Sequence, residues 1–311
     1  MGLLLLAACA NDDEPTGQQV QNTYPLTIEV TENPLIPDGE EGSHTRAAIT
    51  TTSSLDKFYM SYGYSGDATY SNMEADKSTE GKWTTTGSWP SAGDDTEVTW
   101  YASSISLLNE STGNAFYPNE GNPYISFSVD ENASETKDLL VAKTSGSRNG
   151  TNGNLTFNFN HACAALRFYV KKASNISSNT LSVSSVVLKH VAKQGKYYFN
   201  DGVWTPKTKE ASDFTDYTLY SGNDKTITSS SSYTCLNGTN EDNSYLFLIP
   251  QELKGDVSSG TYVEIAWKSN YGSNATSGIA RISLSKVLEK GYKYDVKINI
   301  GTTTLTTYSG L

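Results

Sequence analysis

The chain has 311 residues, a net charge of −11, 36% hydrophobic residues, 18% charged residues and 20 tyrosines. At roughly 150 residues per domain, this length suggests about two domains. The acidity argues against nucleic-acid binding and against attachment to anionic lipid, and the low charge density argues against long salt-bridged helices and coiled coils. Three Cys and three His are too few for a disulfide framework or a Cys/His zinc cluster. Ser, Thr, Asn and Gly replace the missing apolar mass, a mixture that favours strands joined by polar turns. The expected fold class is therefore all-β.

The chain opens Met1-Gly2-Leu3-Leu4-Leu5-Leu6-Ala7-Ala8-Cys9. This apolar run is too short to span a bilayer, which needs about 20 residues, and reads as the end of a signal peptide. Leu6-Ala7-Ala8-Cys9 resembles a bacterial lipobox, which makes residues 1–9 a signal-peptide remnant and Cys9 the lipidated residue. The acidic Asp12-Asp13-Glu14 that follows resembles the export signal of surface lipoproteins in some Gram-negative bacteria. Residues 10–25 are polar and read as a tether. Leu26-Thr27-Ile28-Glu29-Val30 alternates strictly, so Leu26, Ile28 and Val30 share one face of a strand. Asn33-Pro34 and Pro37-Asp38-Gly39 then break the chain, opening a loop that ends at Arg46-Ala47.

From residue 47 to 150 the texture is short strands and turns, including 58–62, 98–102, 124–129 and 139–142, which suggests a β-sandwich. The stretch from Gly146 to Asn154 holds three Gly and three Asn in nine residues, the strongest linker or turn signal in the chain, and a domain boundary is placed there. Residues 151–311 form the second expected sandwich, with strands at 155–161, 164–170, 183–188, 196–199, 245–249, 262–267, 280–284 and 292–300.

Chemistry-bearing patterns are sparse. The sequence has no P-loop, no dinucleotide-binding glycine motif, no HExxH and no nucleophile elbow. His161 lies in a predicted strand and reads as a hydrogen-bonded structural histidine. Cys163, between alanines, reads as a small buried hydrophobe, and a Cys163–Cys235 disulfide stays open because sequence cannot place the two Cα atoms. Asp94-Asp95 and Glu241-Asp242 read as turn residues without calcium-site spacing. No metal, no cofactor and no catalytic residue is assigned. Trp100 and Trp267 fall in alternating strands and read as core. Trp83, Trp89 and Trp204 lie beside turn residues, where an exposed ring could stack on a sugar.

Several segments match one family in order. Phe157-Asn158-Phe159-Asn160-His161-Ala162-Cys163-Ala164-Ala165-Leu166-Arg167-Phe168 resembles the FxHxxAxLxF strand of fimbrillin-like proteins, the subunits of type V pili. Asp138-Leu139-Leu140-Val141-Ala142 resembles the segment that precedes it. Tyr245-Leu246-Phe247-Leu248-Ile249-Pro250-Gln251 and Leu288-Glu289-Lys290-Gly291-Tyr292-Lys293-Tyr294-Asp295-Val296 resemble the family's late strand, a hydrophobic run closed by LPQ, and its C-terminal GxxYxYxV strand.

The resemblance implies a non-enzymatic lipoprotein precursor with two tandem transthyretin-like β-sandwich domains. It implies cleavage by an arginine-specific surface protease at Arg46, with Ala47 as the new N-terminus, so that residues 10–46 are tether and prosegment. The strand bearing Leu26, Ile28 and Val30 would leave, and a strand from another pilin subunit would fill the groove. The implied location is the outer membrane and cell surface, in a fimbria, with outer-membrane lipid held through Cys9. The segment after Ile300 has few apolar residues, a departure from stalk subunits that points to a tip or accessory role in adhesion. The alternative is a stand-alone surface glycan-binding lipoprotein. The first 46 residues carry eight acidic side chains against Arg46 alone, so their loss would take the net charge from −11 to −4.

Overall fold

The structure is a computed structural model that describes residues 26–37, 55–63, 73–90, 94–106, 114–117, 121–174, 180–228, 230–237, 245–271, 274–300 and 306–307. The described residues form an all-β protein, with one 3-10 turn at Ala211–Asp213 as the helical exception.

The first sheet has seven strands in the order β1 (Thr27–Glu32), β10 (Asn154–His161), β9 (Leu140–Gly146), β6 (Val98–Ser103), β3 (Lys57–Gly63), β4 (Met73–Lys77) and β5 (Trp83–Thr85). All its pairs are antiparallel except β1 with β10, which run parallel. β1 and β5 lie at opposite ends of this order yet approach each other, so the sheet curls and β1 lies at the seam. Alternation on β10 buries Leu155, Phe157 and Phe159 inside the curl with Phe58, Met60 and Trp100. The rings of Phe157 and Phe159 meet Phe58 at 5.4 and 5.1 Å.

The second sheet runs β16 (Thr234–Cys235), β11 (Ala164–Lys172), β22 (Tyr292–Ile300) and β2 (Ile36–Pro37), with β17 (Leu246–Leu248) also on β11 and β23 (Thr306–Thr307) also on β22. A third runs β15 (Phe214–Ile227), β12 (Thr180–Ala192), β19 (Tyr262–Tyr271) and β20 (Asn274–Ser283). A fourth runs β14 (Trp204–Pro206), β13 (Gln194–Tyr198), β8 (Tyr124–Ser128) and β7 (Ala115–Tyr117), and β18 (Glu252–Leu253) pairs with β21 (Lys286–Val287). One apolar cluster joins Tyr101, Phe116 and Ile125 to Leu166, Phe168, Leu188 and Val263.

This topology shifts the expected division at 150/151. The Gly/Asn-rich stretch is a hairpin turn, closed by Thr151 N–H to Ser147 O at 3.0 Å and Gly153 N–H to Arg148 O at 2.8 Å. It connects β9 to β10 within the first sheet, and the chain passes to the second sheet at Ala162–Cys163. The fourth sheet pairs β8 with β13, joining strands from both sides of the expected boundary.

Two buried amides replace backbone where strands are interrupted. On β11, β17 ends at Leu166 and β16 begins at Tyr169. Asn237 fills the gap, its Oδ1 accepting the Phe168 N–H at 2.7 Å and its Nδ2 donating to Leu166 O at 3.0 Å. Gln251, just after Pro250, accepts the Ala192 N–H at 2.9 Å and donates to Ala192 O and Ile249 O, each at 3.0 Å. Removing such a side chain strands buried backbone groups, each worth about 1–3 kcal/mol. Gln251→Ala is expected to lose about 2–4 kcal/mol of unfolding free energy, read as a lower urea midpoint at unchanged slope.

Candidate functional site

β1 is held mostly by one neighbour, β10, with Ile28 opposite Leu155 and Val30 opposite Phe157. Period-two alternation sends Leu26 and Ile28 into the core at 8% and 6% exposure, and Val30 packs against the same cluster. Fully burying a side chain of this size contributes about 1.5–3 kcal/mol. The outward face is polar: Thr31 Oγ1 donates to Asn158 Oδ1 at 3.2 Å, and Asn33 Nδ2 donates to Asn160 Oδ1 at 2.8 Å. Backbone bonds close both ends, from Thr27 N–H to Gly153 O at 3.1 Å and from Asn33 N–H to Phe159 O at 2.9 Å.

The same segment then crosses to the second sheet. Leu35, 4% exposed, packs on Ala165 and Tyr245. Ile36 and Pro37 pair in parallel with Tyr292 and Lys293, and the Ile36 N–H donates to Gly291 O at 2.7 Å. Gly291 holds φ at 76°, a conformation open to glycine at little cost. Its own N–H donates to Cys163 O at 2.8 Å. One short segment thus occupies the edges of two sheets. The sequence reading missed this second seat because prolines at 34 and 37 made Leu35-Ile36 look like loop.

A charged cluster lies where the two seats meet. His161, at the end of β10, directs Nδ1 to Asp138 Oδ2 in a very short hydrogen bond, and its Nε2 stands 3.5 Å from Glu32 Oε1 on β1. The Cys163 N–H donates to Asp138 Oδ1 at 3.3 Å. Burial pushes the ring towards neutrality, but Asp138 and Glu32 outweigh it and raise the His161 pKa above that of an ordinary imidazole.

Comparison with known proteins bears on this arrangement. The family model described as fimbrillin-like matches residues 45–310. The chain belongs to the fimbrillin-like family. Its fold is shared with a fimbrial protein from Bacteroides vulgatus, at 17% identity and TM-score 0.66, over 92% of this chain and 98% of that one. A candidate cell adhesion protein from Bacteroides ovatus aligns at 15% identity and TM-score 0.53, over 93% of this chain and 97% of that one. No curated protein matches the sequence.

Cys9, Arg46 and Ala47 of this fimbrillin-like chain lie outside the described residues. The three candidate sugar-stacking tryptophans are drawn inward to differing degrees. Trp89 is 3% exposed, donates its indole N–H to Gly153 O at 3.1 Å and meets Trp100 edge-on at 5.5 Å, so it is a core residue without an open ring face. Trp204 is half-buried against Phe127 and Tyr197 and donates to Ala162 O at 2.6 Å. Trp83 is half-buried, edge-on to Phe58 at 5.0 Å, with Lys77 Nζ 5.9 Å from its ring centre. Cys163 and Cys235 are both buried. Burial, followed by the charge of Asp138, pushes the Cys163 thiol pKa far up.

The inward and outward faces of β1 make opposite predictions. Ile28→Ala should cost about 2–4 kcal/mol, while Glu29→Ala, one residue on and exposed, should stay within about 0.5 kcal/mol of the parent. Melting curves of the two variants check this, and equal shifts would mean that β1 does not seat Ile28.

Proposed function

We propose that this chain is a cell-surface fimbrial subunit and that β1 is the strand replaced during assembly. In this reading the precursor is anchored through a lipid on Cys9. An arginine-specific surface protease cuts between Arg46 and Ala47, and the segment carrying β1 and β2 departs. A strand from another pilin subunit then adds to the exposed edge, its backbone supplying the ladder and its alternate side chains filling the pockets vacated by Leu26, Ile28 and Val30. The observation that carries the reading is the placement of β1. It is an N-terminal strand upstream of the proposed cut, and it covers Phe157 and its neighbours at the seam of the first sheet. Family membership and the fold shared with a Bacteroides fimbrial protein support the same reading.

A tip or accessory position is favoured over a stalk position. Thr306 and Thr307 pair with Asn299 and Ile298 of the chain's own β22, so this part of the tail is engaged in cis. The second expected role, glycan binding through exposed tryptophans, has less to stand on, because Trp89 is core and Trp204 is half-buried with its indole N–H engaged.

The test uses the purified precursor, an arginine-specific protease and a partner pilin. The parent should lose its N-terminal segment at residue 46 and form oligomers that survive a denaturing gel. Arg46→Ala should stay full length and monomeric under the same treatment. Oligomers that form equally from the uncut variant would overturn the reading.

A further inference from the structure

We propose that His161 is a positioning residue that ties the docking of β1 to proton binding: Asp138 fixes one ring nitrogen, and the other faces Glu32 of β1 in a contact that attracts only when the ring is protonated. The geometry leaves little freedom. The His161 side chain is 3% exposed, Asp138 7% and Glu32 26%. Asp138 spends one oxygen on the Cys163 N–H and the other on His161 Nδ1, which makes Nδ1 the protonated nitrogen of a neutral ring. A neutral ring in that tautomer turns the lone pair of Nε2 towards the Glu32 carboxylate, and the two repel. A protonated ring turns an N–H towards it, and they attract. Nε2 is buried without a hydrogen-bond partner, 3.5 Å from Glu32 Oε1, so a small closure completes an ion pair.

The groups facing the ring come from two segments: Asp138 precedes β9, and Glu32 ends β1 with the backbone of Asn33 directly after it. Glu32 belongs to the segment proposed to leave, and Asp138 and His161 belong to what stays. The sign follows from the raised pKa of His161: stabilisation is present at low pH and is lost as pH rises through the folded-state value. The consequence for assembly, faster departure of β1 at higher pH, rests on the strand-replacement reading; the coupling itself does not.

The test uses the uncleaved chain, so neither proteolysis nor subunit exchange enters the readout. The pKa of His161 is measured by NMR in the parent, in Glu32→Gln and in Glu29→Gln. In the same proteins, hydrogen-exchange protection of residues 27–32 is followed from pH 5 to 8.5 and corrected for intrinsic rates. In the parent, protection of β1 should fall as His161 deprotonates. Glu32→Gln should lower the His161 pKa and flatten the profile, with low-pH protection reduced about tenfold for each unit of pKa lost. Glu29→Gln, facing outward on the same strand, should match the parent. An unchanged His161 pKa in Glu32→Gln, or the same pH profile in both proteins, would refute the proposal and leave the assembly reading standing. A pH-dependent β1 in a protein that never exchanges strands would refute only the assembly reading.

Discussion

The first sheet depends on closing its seam. Seven strands curl until their two ends approach, and the residues behind the gap are large and aromatic: Phe58, Phe157 and Phe159 are fully buried. β1 completes the cover. It does so as an edge strand in parallel pairing, slightly the weaker ladder per residue, with Leu26 and Ile28 as its fully seated side chains. Without it, β10 would present a long unpaired edge beside an apolar core, a template for uncontrolled pairing. The fold therefore needs a strand at that position, and the need is met by a segment joined to the body through residues 38–54.

The second seat changes what that segment does. A strand that only filled the first sheet would be released by local fraying of β1. Leu35 and the short β2 ladder add an anchor on the second sheet, against Ala165, Tyr245 and Gly291. Between the two anchors lie Glu32 and Asn33, beside His161 and Asn160. Freeing the segment would require breaking both seats, and the charged cluster stands at their junction. The logic here is chemical: polar side chains stitch backbone where the ladders stop. Asp138 holds the Cys163 N–H, Asn237 spans the gap on β11, and Gln251 replaces strand pairing beyond Pro250. His161 and Gln251 both lie in the segments that carry the family resemblance, and the structure gives each a backbone-organising or charge-organising task.

Where one face of a strand is buried and the other wet, the sequence announces it. Leu155, Phe157 and Phe159 alternate with Thr and Asn, and β10 is found there; the same holds for β11, β19 and β22. β15 was missed, although it has 14 residues. Gly222, Asn223 and Asp224 bulge out of this continuous strand between Ser221, opposite Ser185, and Lys225, opposite Val183. The stretch 146–154 reads as a linker or turn, and it cannot place a domain boundary by itself: Gly and Asn report a change of backbone direction, not whether the next strand rejoins the same sheet. Trp89 shows the third limit. Neighbouring Pro90 and Gly87 suggest exposure, but only long-range folding brings Gly153 O to its indole. The charged site was half legible, with His161 recognised as structural and its partner Glu32, 129 positions away, invisible to local pattern.

The tyrosine surplus that first set this chain apart has a physical reason in these sheets. A sheet with one wet face offers half-buried positions where a fully apolar ring would be exposed and a short polar residue would leave the strand unsupported. Tyrosine suits that position because its ring packs and its hydroxyl stays wet, and it gives cations a face to lie on. Arg167 lies between Tyr169 and Tyr245 at 5.1 and 4.8 Å, with Asp295 alongside, and Lys196 covers Tyr124 at 4.1 Å. Tyr117, Tyr124 and Tyr198 line up in register across β7, β8 and β13. These rows stiffen outer faces without adding apolar surface, which lets a chain with 36% hydrophobic residues concentrate its aliphatic side chains in the two main cores. Tyr245 links this outer layer to the segment that carries β1 and β2, since the side chain that stacks on Arg167 also receives Leu35. Loss of the segment would uncover one end of that row, so the outer face of the second sheet and the seam of the first change together.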